Sequence, residues 1–126
     1  MKIEVSNGEI LDKFSILEIK LQKIQQEEKL NNISKEKESL WSSFCLITSQ
    51  ESVREKYEEL KKINLELWDI EDSIRDLERS KTFDEKFIEL ARAVYITNDK
   101  RADIKYQINQ ITGSDLVEEK SYNDYE

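Results

Sequence analysis

Between Gly8 and Gly113 the chain contains neither glycine nor proline. Those two residue types supply most sharp turns and strand breaks. A chain lacking both over so long a stretch reads as a few long helices joined by short loops. Composition agrees, with 38% charged and 37% hydrophobic residues. That balance suits long amphipathic helices and leaves apolar residues for little more than a narrow seam. A length of 126 residues corresponds to about one domain. The expected fold class is all-α: an antiparallel helical bundle of three to four helices over residues 1–113. A long hairpin of the third and fourth helices, a short extended N-terminus and an acidic polar tail at 114–126 complete it.

Local signals place the elements. Ile3 and Val5 alternate with charges, so residues 2–5 read as extended. Ser6-Asn7-Gly8-Glu9 is a capping box and predicts a helix over about 7–30. Ile10, Phe14, Leu17, Leu21 and Ile24 form one stripe on it, and Ile16 and Ile19 fall on nearly the opposite side. A helix apolar on two sides is either central in its bundle or shared with another chain. Asn31-Asn32 interrupts the pattern, and Ser34 is placed to cap a second helix over about 35–49, whose apolar side is Leu40, Trp41, Phe44 and Ile47. Ser52 with Glu55 predicts a third helix running to about Ser80, and Thr82 with Glu85 a fourth over about 83–111. Gly113 is placed to end it in the left-handed conformation. The linker between the last two helices is only a few residues, so they form an antiparallel hairpin.

Several function classes are disfavoured. The chain has no His, which removes the usual general base, histidine metal ligands and a Ser-His-Asp triad. No glycine-rich phosphate loop is present. The net charge of −8, with no basic cluster, argues against a nucleic-acid partner. No segment is apolar enough to span a membrane, and the first residues lack a signal-peptide core, so a cytoplasmic location is expected. Cys45, alone in an apolar run, reads as a small buried hydrophobe. Trp41, Tyr57, Trp68, Phe87 and Tyr95 read as core aromatics, and Tyr106, Tyr122 and Tyr125 as exposed or interfacial.

One anomaly stands out. Arg101 occupies a seam position among Val94, Ile104 and Ile108, with Asn98 and Lys105 beside it. The third helix carries a polar edge of Asn64, Trp68, Glu71 and Arg75. Folding the hairpin at residues 81–82 brings Glu71 level with Arg92, and Asn64 near Asn98 and Arg101. A buried charge must be paired, hydrated or ligand-bound. Glu71, Arg75, Arg92, Asn98, Arg101 and Lys105 are therefore candidate ligand-binding residues for an anionic ligand, the alternative being an ion-pair network that sets helix register. No cofactor is expected. A weaker possibility is Mg²⁺ held by Glu9 and Asp12 together with Asp69 and Asp72, each pair one helical turn apart.

Ile3-Glu4-Val5-Ser6-Asn7-Gly8-Glu9-Ile10-Leu11-Asp12-Lys13, continuing through Ser15-Ile16-Leu17-Glu18-Ile19-Lys20, resembles the opening of an uncharacterised family of short helical proteins, which usually has Pro in place of Asn7. Leu67–Asp72, Phe87–Arg92, Asn98–Ala102 and Glu118–Tyr122 are similar as well, while residues 30–55 are unmatched. The resemblance implies bacterial or phage proteins encoded near glycosyltransferase and surface-polysaccharide genes, with no activity to transfer. The leading expectation is a non-catalytic interaction or accessory module that forms a homo-oligomer or binds a protein partner. The alternative is a small all-α enzyme or binding protein for a phosphorylated or carboxylated metabolite.

Overall fold

The computed structural model describes residues 1–121, 124 and 125. Four helices follow one another: α1 (Asn7–Lys23), α2 (Glu27–Ile47), α3 (Glu51–Arg79) and α4 (Glu85–Thr112). The described residues contain no strand, and residues 1–6 are irregular rather than paired. No helix is long and apolar enough to cross a membrane. The all-α bundle expected from the sequence is the fold observed.

The packing explains the two apolar sides of α1. It is the central helix, touching α2, α3 and α4, while α3 and α4 share the most extensive interface. Leu11, Phe14, Leu17 and Ile19 are all buried, although no one face of a helix could carry all four. The core joins Leu11 and Phe14 to Val53, Tyr57 and Leu60 of α3 and to Ile104 and Ile108 of α4. Leu40, Phe44 and Ile47 of α2 cover it.

Helix boundaries differ from the expected ones in instructive ways. Ser6 caps α1 as expected, its hydroxyl accepting from the Glu9 N–H at 3.1 Å. The helix then ends at Lys23, not near residue 30, because Ile24 turns extended. α2 runs straight through Asn31-Asn32; exposed Asn costs well under 1 kcal/mol per position in a helix, too little to stop one. α3 begins at Glu51 without a side-chain cap. Instead Arg54 reaches back to the carbonyls of Thr48 and Ser49, each at 3.1 Å. Asp84, not Thr82, caps α4 by accepting from the Phe87 N–H. Gly113 ends α4 at φ 63°, and its N–H donates to the Asn109 carbonyl, as expected from the sequence.

Two sets of core expectations need correction. Cys45 is exposed, because it lies on the side of α2 turned away from α1. Of the five expected core aromatics only Tyr57 is buried. Trp68 and Phe87 are half-buried, and Trp41 and Tyr95 are exposed. For Trp68, Phe87 and Tyr95 the cause is that α1 covers only part of the hairpin. No residue from Trp68 to Arg79 on α3, or from Glu85 to Ile96 on α4, is buried. This stretch projects beyond the four-helix body as a two-helix arm, and the aromatics it carries have no third helix to cover them. Tyr106 and Tyr125 are exposed as expected, and Tyr122 lies outside the described residues.

Candidate functional site

The polar residues converge where the N-terminal half of α1 crosses α4. Asp12 is buried, and its carboxylate takes both edges of the Arg101 guanidinium, with Nε to Oδ1 at 2.8 Å. Asn64 of α3 completes the node. Its Nδ2 donates to Asp12 Oδ1 at 2.9 Å and to Ser15 Oγ at 2.8 Å, while Ser15 Oγ donates to the Asp12 carbonyl. A forked Arg–carboxylate pair of this kind fixes geometry as well as charge. The hydrogen bonds to Asp12 hold the guanidinium pKa above its ordinary value. Among the described residues every buried polar side-chain atom has a partner.

One turn further along α4, Lys105 is almost wholly buried and donates to Glu9 Oε2 and to Glu118 Oε2, both at 2.8 Å. Burial opposes its charge, but the hydrogen bonds to Glu118 and Glu9 outweigh burial and raise its pKa. Glu9 thus spends its carboxylate on Lys105 rather than on the capping box. Glu118 comes from the tail, which lies back along α4, and Lys120 of the same segment pairs with Asp99 at 2.7 Å. Asn109 then receives the Gly8 N–H on Oδ1 at 2.7 Å, and Asn7 bonds to Ser114 and Thr112. Between the tail and α4 lies a cleft of about 670 Å³, walled by Asn98, Arg101, Lys105, Tyr106 and Glu118 among others.

Of the six candidate ligand-binding residues, the structure brings together Asn98, Arg101 and Lys105. The other three lie on the arm. Glu71 pairs with Arg75 of its own helix at 3.4 Å rather than with Arg92, and Arg92 is exposed. The expected convergence of both helices is therefore limited to Asn64 with Asn98 and Arg101. What the hairpin register could not supply was α1, whose Asp12 is the actual partner of Arg101. A signal for it exists in the sequence: Asp12 stands four and seven positions before Ile16 and Ile19, within the second apolar stripe. The four carboxylates considered for Mg²⁺ are not gathered. Glu9 and Asp12 each hold a cation, Asp69 pairs with Lys23 at 3.6 Å, and Asp72 is exposed. Among the described residues no group of three or more metal-ligating side chains occurs.

A family model matches residues 1–125. The chain belongs to DUF6165, a family of unknown function. No curated protein and no solved structure matches this DUF6165 chain.

The arrangement is one of mutual neutralisation. Arg101 is matched by Asp12, Lys105 by Glu9 and Glu118, and Lys120 by Asp99. The tail contact is the part most open to titration. The Lys105 hydrogen bond holds the Glu118 carboxyl below its ordinary value of 4.5. Its stabilising contribution is therefore complete above that value and is lost as pH falls through the lower, folded-state pKa. Lys105 has the opposite sign: its contribution is complete below 10.5 and is lost as pH rises through its raised folded-state pKa. Both partners of the Glu118–Lys105 ion pair are thus charged throughout the neutral range. In a carbon-detected NMR titration the Glu118 midpoint is expected below 4.5 and should return to the ordinary range in Lys105→Gln. An unchanged midpoint in that variant would rule out the contact.

Proposed function

We propose that this DUF6165 chain is a non-catalytic cytoplasmic interaction module that pairs with a second copy of itself through the α3–α4 arm. The observation that supports this is the unfinished seam of the arm. Ile70, Ile74 and Leu77 on α3 and Phe87, Leu90 and Val94 on α4 recur at helical spacing, yet all six are only half-buried. Phe83 and Ile88 beside them are 56% and 57% exposed. Two helices alone leave one side of a seam open, and two such arms laid together close it as a four-helix bundle.

The dimensions of the arm set the strength of this pairing. Twelve residues of each helix span roughly 18 Å, and two adjacent helices are about 20 Å across. Such a face measures about 360 Å² per partner, less than half of the roughly 800 Å² of a standard stable interface, so the pairing is a weak and reversible one. The polar cleft supports this reading over a metabolite-binding enzyme, because its buried cations already hold carboxylates of this chain. The setting implied by the family resemblance extends the proposal: the module would serve as an accessory to enzymes of surface-polysaccharide metabolism.

Residues 68–96 carry five Lys and Arg against eight Asp and Glu, so two arms repel weakly at low salt. Light scattering at about 100 µM protein should give a dimer that tightens as salt screens this repulsion. Ile88→Glu, at an exposed position, should give a monomer of unchanged helicity. A wild-type chain that stays monomeric at both low and high salt would overturn the reading.

A further inference from the structure

A second hollow lies on the other side of α1, away from both the cleft and the arm. α2 and α3 both rest on α1 but pack little on each other, which leaves a space of about 300 Å³ between them. Its floor and walls are aromatic. Phe14 of α1 stacks on Phe44 of α2 at 4.0 Å between ring centres, Trp41 stacks on Phe44 at 5.7 Å, and Tyr57 of α3 meets Phe44 edge-on at 4.8 Å. Trp41 continues this stack to the surface and is 55% exposed. An aromatic ring of that size at the open end of a stack offers its free face to another flat ring.

The charges around the hollow have a particular pattern. Lys37, Arg54 and Lys61 line it together with Glu18 and Glu58, so it is locally positive in a chain of net charge −8. Three cations against two carboxylates leave one net positive charge there, Glu58 lying one turn after Arg54 on α3. Glu18 accepts from the buried Tyr57 hydroxyl and pairs with Lys61 at 3.4 Å. Burial, reinforced by the Glu18 hydrogen bond, raises the Tyr57 pKa, so the phenol stays a donor and the carboxylate stays engaged. Arg54 is held by two backbone carbonyls, which orient the guanidinium without neutralising it. Lys37 lies 5.3 Å from the Phe14 ring centre. Among the described residues neither Lys37 nor Arg54 forms an ion pair.

From this juxtaposition we infer that the α1–α2–α3 hollow is a binding site for a small aromatic anion, a one- or two-ring carboxylate. Its ring stacks on Trp41 and its carboxylate lies between Lys37 and Arg54. The volume sits at the lower end of small-molecule sites and is too small for a helix or a strand. The anion offsets the one net positive charge of the hollow, and the ring covers the exposed end of the aromatic stack. Neither part of the argument uses the arm or the cleft, so this site stands or falls independently of self-association.

The chain contains two Trp residues, Trp41 at the hollow and Trp68 at the base of the arm, and their indole N–H signals report on the two places separately. Titrating the full chain with 2-naphthoate should shift the Trp41 indole signal saturably, with a Kd on the order of 10⁻⁴ M, and leave Trp68 in place. The neutral analogue 2-naphthalenemethanol should bind about tenfold more weakly, as should 2-naphthoate to Lys37→Met or to Arg54→Met. Trp41→Leu, at an exposed position that leaves the core intact, should abolish the calorimetric binding signal. An absent or non-saturating Trp41 shift would overturn the site. So would equal movement of both indoles, or equal affinity for the neutral analogue.

Discussion

Replacing Asp12 with Ala is expected to lower stability by about 3 kcal/mol, because it removes the carboxylate that holds the partly buried Arg101 guanidinium and takes an acceptor from Asn64. For a domain of this length the melting temperature should fall by roughly 10 °C or more. Arg101→Leu should cost a similar amount, since the buried Asp12 carboxylate then keeps only Asn64. The double variant Asp12→Leu with Arg101→Leu should recover most of the loss, as apolar replacement of a whole buried pair commonly does. Asn64 and Ser15 remain partners for each other in that background. Urea denaturation of the four chains gives the coupling directly. A coupling energy near zero would show that Asp12 and Arg101 do not depend on each other.

The second large effect is expected at Gly8. A Cβ built there would lie 2.6 Å from the Lys105 carbonyl oxygen and 3.1 Å from Asn109 Oδ1. The nearest obstacle is backbone, so it cannot swing aside. Gly8→Ala must push α1 off α4 and lengthen the bond from the Gly8 N–H to Asn109. We expect a loss of about 2–3 kcal/mol from overpacking, reduced by up to about 1 kcal/mol from the better helix propensity of Ala. Gly113 provides the contrast. Nothing lies within 4 Å of its added Cβ, but its φ is +63°, so Gly113→Ala should cost only about 1 kcal/mol through the left-handed backbone. Equal denaturation midpoints for the two variants, or a Gly8→Ala chain as stable as wild type, would contradict this account.

How far the sequence carried the structure depends on whether a signal was local. Ser6 and Gly113 were legible because a cap is decided by the residues next to it. The α3–α4 hairpin was legible because its two stripes are long and its connection short. The break between α1 and α2 was not. It falls at Ile24–Gln26, where no turn residue marks it, whereas Asn31-Asn32 looks like a break and is helix. What ends α1 is that α2 must fold back to place Phe44 against Phe14, a requirement set by packing at a distance.

The candidate site divides in the same way. Arg101, Lys105 and Asn98 announced themselves as polar residues within an apolar seam. Their neighbour Asn64 followed from the hairpin register. Glu71, Arg75 and Arg92 were drawn in by that same register, but they sit on the arm, where solvent satisfies them and no third helix presses them together. Asp12 belongs to the second stripe of α1, but its one-turn spacing from Glu9 also has the form of a metal-ligand pair. Asn109, four positions after Lys105 on the same face of α4, extends the polar line to Gly8 and is wholly a matter of tertiary contact.

The way α1 is held has a bearing on how the chain is made. Its partners on α4 and beyond lie far along the chain: Asp12 waits for Arg101, Gly8 for Asn109 and Asn7 for Ser114, separations of 89, 101 and 107 residues. At about 5–20 residues per second of synthesis, α1 emerges some 5–20 s before the residues that bury its second apolar side and neutralise Asp12. Over that interval it can rest only on α2 and then α3. The helix that precedes the other three in the chain is thus among the last of the four to be completed, since its partners on α4 emerge after it. Completion of the α1 contacts therefore waits on α4.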